Sequence, residues 1–254
     1  MNVKICLGPL TRKILTNAPW VGQDDFPSSQ EWADFIERLL THIKSQGQFE
    51  HYSCMLCSDI SQRDSAFSEI LASYFFKRKG FTILNYDPNT KNHVDLEIQW
   101  RDSPIIYCEV KNPGWEGELS DAEKLGARKR MPKYVSGEAR SINPTERIFY
   151  AIEKAREKFP EHTPNLVVVV PDLFVSVTEK LFPPMEKELK ELISKKDNRI
   201  IGGVILIEAI NYGRGVQIFY LFLENENANV NNRLPVEVVK GLASGSFTGF
   251  DGKH

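Results

Sequence analysis

The stretch IIYCEVKNP, residues 105–113, decides how the chain reads. Ile105, Ile106, Tyr107, Cys108 and Val110 make an apolar run of strand character, yet it carries Glu109 and Lys111. Side chains alternate along a strand, so Glu109 and Lys111 project to one face while Cys108 and Val110 project to the other. One face belongs in a core and the other carries an acid beside a base. Just upstream, residues 93–100 alternate as well, with Val94, Leu96 and Ile98 on one face and Asp95 and Glu97 on the other. Residues 101–103 read as a short hairpin loop between the two runs. If paired positions sum to 204, Asp95 lies opposite Glu109, Glu97 opposite Tyr107 and His93 opposite Lys111. Opposed Cβ atoms then stand roughly 4.5–5.5 Å apart, and a one-residue slip would send the acids to opposite faces.

Two carboxylates so close repel each other unless a positive charge lies between them. A divalent cation with a preference for oxygen would serve, and Mg²⁺ is commonly held by one or two carboxylates together with substrate phosphate. Lys111 could orient a water or steady charge developing on that phosphate. The plain alternative is a cross-strand charge pair on a half-exposed sheet, which is worth little by itself. Glu97 shares the face of Asp95 and could replace it as a ligand, but Asp95 fits the hairpin register better.

Outward from the hairpin, the pattern alternates between helix and strand. Residues 29–46 place Trp32, Phe35, Ile36, Leu39, Leu40 and Ile43 at helical spacing, with Ser28 or Ser29 as N-cap. A second helix is expected over 62–79, with a stripe of Phe67, Ile70, Leu71, Tyr74 and Phe75 and Gly80 at its end. Residues 81–85 read as a strand, 144–159 as a helix and 176–195 as another. The run NLVVVV, residues 165–170, has the continuous β-branched character of a strand covered on both faces. Residues 201–210 and 215–223 read as paired strands around NYGRG. This order predicts an α/β fold, a central mixed β-sheet flanked by α-helices. The expected division is an N-terminal helical extension over 1–60, a main domain over 61–223 and a polar, partly disordered segment over 224–254.

The run from Glu69 to Lys111 resembles the PD-(D/E)xK, or restriction-endonuclease-like, nuclease superfamily. Its first part reads E-x-x-A-x-x-F-F-x-x-x-G-F, with Glu69, Ala72, Phe75, Phe76, Gly80 and Phe81 in place. A V-D-L supplies Asp95, and E-V-K then supplies Glu109 and Lys111; Val94 stands where the name motif has proline. The likeness spans about 45 of the 254 residues, and its motifs are short and degenerate. It implies a restriction-endonuclease-like sheet and a nuclease that uses Mg²⁺ or Mn²⁺. On the same likeness, Asp95, Glu109 and the Val110 carbonyl bind the metal, Lys111 positions the attacking water, and Glu69 is an outer ligand or water holder. DNA is the implied partner, with RNA left open because nothing in the chain senses a 2′-hydroxyl, and a homodimer is left open as an assembly. The alternative is a nuclease-fold protein without catalysis, serving as a nucleic-acid-binding or assembly scaffold.

A substrate wall is expected directly after the catalytic strand. The segment KLGARKRMPK places Lys124, Arg128, Lys129, Arg130 and Lys133 together without an acid. Such residues hold phosphates by charge without reading sequence, though a charge run is also how a solvated loop looks. Trp115 could stack on a base, and Arg147, Lys154 and Arg156 on the next helix are weaker candidates for phosphate contact. The net charge of -2 gives no global pull toward polyanions, so contact must be local. No run is long enough to span a bilayer, and the N-terminus lacks the apolar core of a signal peptide; the expectation is a cytoplasmic protein. Cys54 and Cys57 form one C-x-x-C, but with His51 they offer only three ligands and no second pair exists. Ordinary reduced cysteines are the expected reading. Nor is there a P-loop or G-x-G-x-x-G fingerprint for a nucleotide-dependent enzyme on small phosphorylated substrates.

Overall fold

The computed structural model describes residues 5–17, 29–58, 60–87, 94–113, 144–171, 182–211, 213–242 and 245–248. Four helices come first: α1 (Pro9–Asn17), α2 (Gln30–Ser45), α3 (Phe49–Leu56) and α4 (Ile60–Arg78). Strands β1 (Thr82–Tyr86), β2 (Leu96–Gln99) and β3 (Ile106–Lys111) follow, then α5 (Pro144–Ala155) and β4 (Asn165–Val169). Helix α6 (Phe182–Ile193), β5 (Gly203–Asn211), β6 (Val216–Glu224), α7 (Val236–Gly241) and β7 (Gly245–Thr248) complete the order.

Among the described residues seven strands form one sheet in sequence order, β1 to β7. Strands β1, β2 and β3 make an antiparallel meander. Strand β4 runs parallel to β3, and β5 parallel to β4, while β5, β6 and β7 are again antiparallel. The mixed sheet expected from the sequence is therefore present. Its parallel strands sit in the middle, where both faces are covered, and β4 is buried at all five positions.

Two cores separate the layers. On one face Cys108, Val110, Leu166, Val168, Ile205 and Ile207 pack with side chains of α2, α3 and α4. On the other, Val167, Val169, Val204 and Leu206 pack with Ile148 and Ile152 of α5 and Leu189 and Leu192 of α6. Helix α4 is buried on two sides, because Phe67, Ile70, Leu71 and Phe75 are joined in the core by Ala72 and Phe76. Its end is a left-handed glycine cap. Gly80 has φ +88° and donates to Lys77, Phe81 donates back to Phe76, and the two phenylalanine rings meet at 5.4 Å. At the start of α2, Ser29 accepts from the Trp32 N–H at 3.3 Å.

The terminal stretches take part in this body. Phe35, Leu39, Ile43 and Tyr52, from the stretch expected as an extension, share the α4 core, as do Leu234, Val238 and Leu242 beyond β6. Strand β7 pairs with β6, so ordered structure continues further than the polar composition of 224–254 indicates. Among the described residues, no helix is long and apolar enough to cross a membrane.

Candidate active site

The hairpin register follows the expected sum. Leu96 pairs with Cys108, Glu97 with Tyr107 and Ile98 with Ile106. Asp95 lies one residue before β2, and its main chain is fixed on both sides: its N–H donates to Cys108 and its carbonyl accepts from Asp87. The Asp95 carboxylate accepts the Val110 N–H at 2.6 Å. Val110, expected to offer its carbonyl to a metal, thus already serves the site through its N–H.

Glu109 is fully buried, in the middle of β3. One oxygen, Oε1, takes two ammonium groups, Lys111 Nζ at 2.5 Å and Lys158 Nζ at 2.7 Å. The other, Oε2, is buried and has no hydrogen-bond partner among the described residues. Lys158 also stands 3.9 Å from Asp95 Oδ1, so its charge lies between the two acids. Lys158 ends the 3₁₀ turn after α5. That turn is fixed on both sides of the lysine, by a 3.2 Å hydrogen bond from Arg156 to Asn198 and by the buried Phe159.

Glu69 completes the acidic group from α4. Burial pushes its carboxyl up to about 7; the Tyr52 hydroxyl, donating to Oε2 at 3.0 Å, opposes this, and the charges of Glu109 and Asp87 reinforce it. Asp95 is raised well above the ordinary carboxylate range, first by burial and then by the charges of Glu109 and Glu69. Burial works against the charge of Lys158, but the hydrogen bond to Glu109 and the nearby acids outweigh it, and its pKa lies above the ordinary value. Tyr52 is held above the usual phenol range by burial and by the charge of Glu69.

Of the residues singled out in the sequence, Glu69, Asp95, Glu109, Val110 and Lys111 therefore come together. Glu97 does not replace Asp95: it is buried and takes a hydrogen bond from Asn85 of β1. Lys124, Arg128, Lys129, Arg130, Lys133, Trp115 and His93 lie outside the described residues. Of the weaker candidates, Lys154 pairs with Glu157 at 3.1 Å and Arg156 is engaged by Asn198. Sequence reasoning missed Lys158 and Tyr52. Helical spacing could have placed Lys158 four residues beyond Lys154, but its meeting with β3 depends on how α5 docks, which spacing does not carry.

Among the described residues, no group of three or more His, Cys, Asp or Glu side chains is arranged to hold a metal ion. Cys54 and Cys57 sit at the end of α3 rather than near the acids. What the arrangement offers is the buried Glu109 carboxylate, the half-buried carboxyls of Asp95 and Glu69 beside it, a Glu109 oxygen with no partner among the described residues, and two ammonium groups. Set against protein-family models, characterised proteins and solved structures, the chain gives no match.

Proposed function

We propose that the protein is a metal-dependent nuclease that hydrolyses phosphodiester bonds of DNA on a restriction-endonuclease-like fold. The observation that carries this reading is the convergence of Asp95, Glu109 and Lys111 at one hairpin, with a buried Glu109 oxygen left without a partner among the described residues. A buried carboxylate oxygen without a donor is costly, and a cation satisfies it. The donor set suits Mg²⁺ or Mn²⁺: hard oxygens, two carboxylates and the Val110 carbonyl, the remainder coming from water and substrate phosphate. When bound, such an ion supplies Lewis-acid polarisation of the phosphate and acidifies a water.

The chain's own residues do the rest. Asp95 is steadied for its task by the Val110 N–H, and Glu109 by the two lysines. Lys111 projects from the same face as Glu109 and is partly exposed, so its ammonium can hold the attacking water or take charge growing on phosphate oxygens. Glu69, oriented by Tyr52, holds water at the edge of the acidic pair. The basic segment 124–133 is the expected phosphate wall. In hydrolysis the water oxygen bonds to phosphorus, one ester P–O bond breaks, and the departing oxygen leaves with a proton.

A second reading has one specific support. Lys158 already neutralises the acids, as a lysine would in a nuclease-fold scaffold that binds nucleic acid without cleaving it. Cleavage assays on single-stranded, duplex and branched DNA, with RNA alongside, separate the two. The nuclease reading expects turnover that needs Mg²⁺ or Mn²⁺ and disappears in Lys111→Ala with the fold retained. Binding without cleavage under either metal favours the scaffold.

A further inference from the structure

Lys158 contacts both acids, whereas among the described residues Lys111 pairs with Glu109. An ammonium 2.7 Å from Glu109 and 3.9 Å from Asp95 occupies the electrostatic position that a shared cation would take. Resting on the nuclease reading above, we propose that Lys158 is a positioning residue that competes with the divalent cation for Asp95 and Glu109, so that it sets the affinity of the site for metal.

Three observations support the competition. Glu109 is fully buried, and a buried carboxylate beside a second acid needs a positive partner in the metal-free protein. Lys158 supplies it from a side chain that is 39% exposed, on a flexible four-carbon stem, so the ammonium can leave toward solvent while the turn beneath it stays fixed. The free Glu109 Oε2 gives an incoming cation a first point of attachment that the lysines do not already hold. A metal ion and an ammonium on the same two carboxylates repel each other, so entry of one displaces the other. The released ammonium remains beside the site, where a substrate phosphate is the natural anion for it to meet.

The test is Mn²⁺ calorimetry on wild-type protein, Lys158→Met, Lys158→Gln and Lys158→Arg, each checked for folding by circular dichroism. Removing a charge this close, allowing for solvent screening of a partly exposed lysine, should tighten Mn²⁺ binding by about tenfold in the neutral variants. Lys158→Arg keeps the charge and should stay near the wild type. In the wild-type protein, saturation with Mg²⁺ should shift the Lys158 Nζ resonance in ¹⁵N spectra; this arm does not depend on any variant folding. Equal or weaker Mn²⁺ binding in the neutral variants, or an Nζ resonance unmoved at Mg²⁺ saturation, overturns the competition while metal-dependent cleavage by the wild type leaves the nuclease reading intact. Absence of Mn²⁺ binding in every protein, with no cleavage, overturns both.

Discussion

Glu69 shows how much a single side chain can reveal of this site. Its carboxyl is raised to about 7 from an ordinary 4.5, so the folded protein holds the proton more tightly than the unfolded chain. The sign follows: stability from this group is full below about 4.5 and is lost as pH rises through 7. Metal-free Glu69→Gln should therefore gain on the wild type in urea midpoint between pH 4.5 and 8. A parallel pH dependence for the two proteins would place Glu69 in an ordinary environment. Tyr52→Phe removes a hydrogen bond that holds Glu69 down, so the Glu69 carboxyl should titrate higher still in ¹³C spectra. At this scale Glu109 and Lys111 were legible because strand alternation is local. Lys158 was not, because it lies in a turn and its partner Glu109 on a strand some fifty residues earlier in sequence, and no period relates the two.

At the scale of elements, helix α4 and the hairpin after it carry the site, and local chemistry fixes both. The α4 terminus uses Gly80 at φ +88°, and a Cβ there would also come within 3.3 Å of the Trp100 ring. Gly80→Ala should cost about 1–2 kcal/mol from the left-handed backbone alone, read by chemical denaturation. That stop signal was legible because glycine at a helix end has a steric cause. The face each residue of β2 and β3 takes was legible for a similar reason, since a one-residue slip would turn Leu96, Ile98 and Cys108 away from the core; the short hairpin loop then narrows the pairing. Helix α3 was not read. It has only eight residues, and packing on α4 rather than periodicity is what marks Phe49, Tyr52 and Leu56 as its buried side. Strand β7 was missed as well, because Gly and Ser at its start have low strand propensity and the β6 edge supplies its partner.

For the whole molecule, a sheet covered on both faces is the frame against which the acids are set. Phe75 lies at the heart of the larger core, between Phe76 at 5.4 Å and Tyr220 at 5.0 Å. Phe75→Ala should cost about 3–5 kcal/mol in unfolding free energy. Layer order was legible in the sequence, since β-branched runs alternate with amphipathic helices. The sharing of one core by the terminal stretches was not, because it depends on residues about two hundred positions apart, such as Phe35 and Val238, joining one cluster.

The claim that joins these scales is that Asp95 and Glu109 are built to share a divalent cation. Crystals of the protein with Mn²⁺, measured for anomalous scattering, address it at the atoms concerned. We expect a manganese peak in contact with both carboxylates and the Lys158 ammonium drawn away from them. A peak elsewhere, or none, with Lys158 still bridging Asp95 and Glu109, would contradict it.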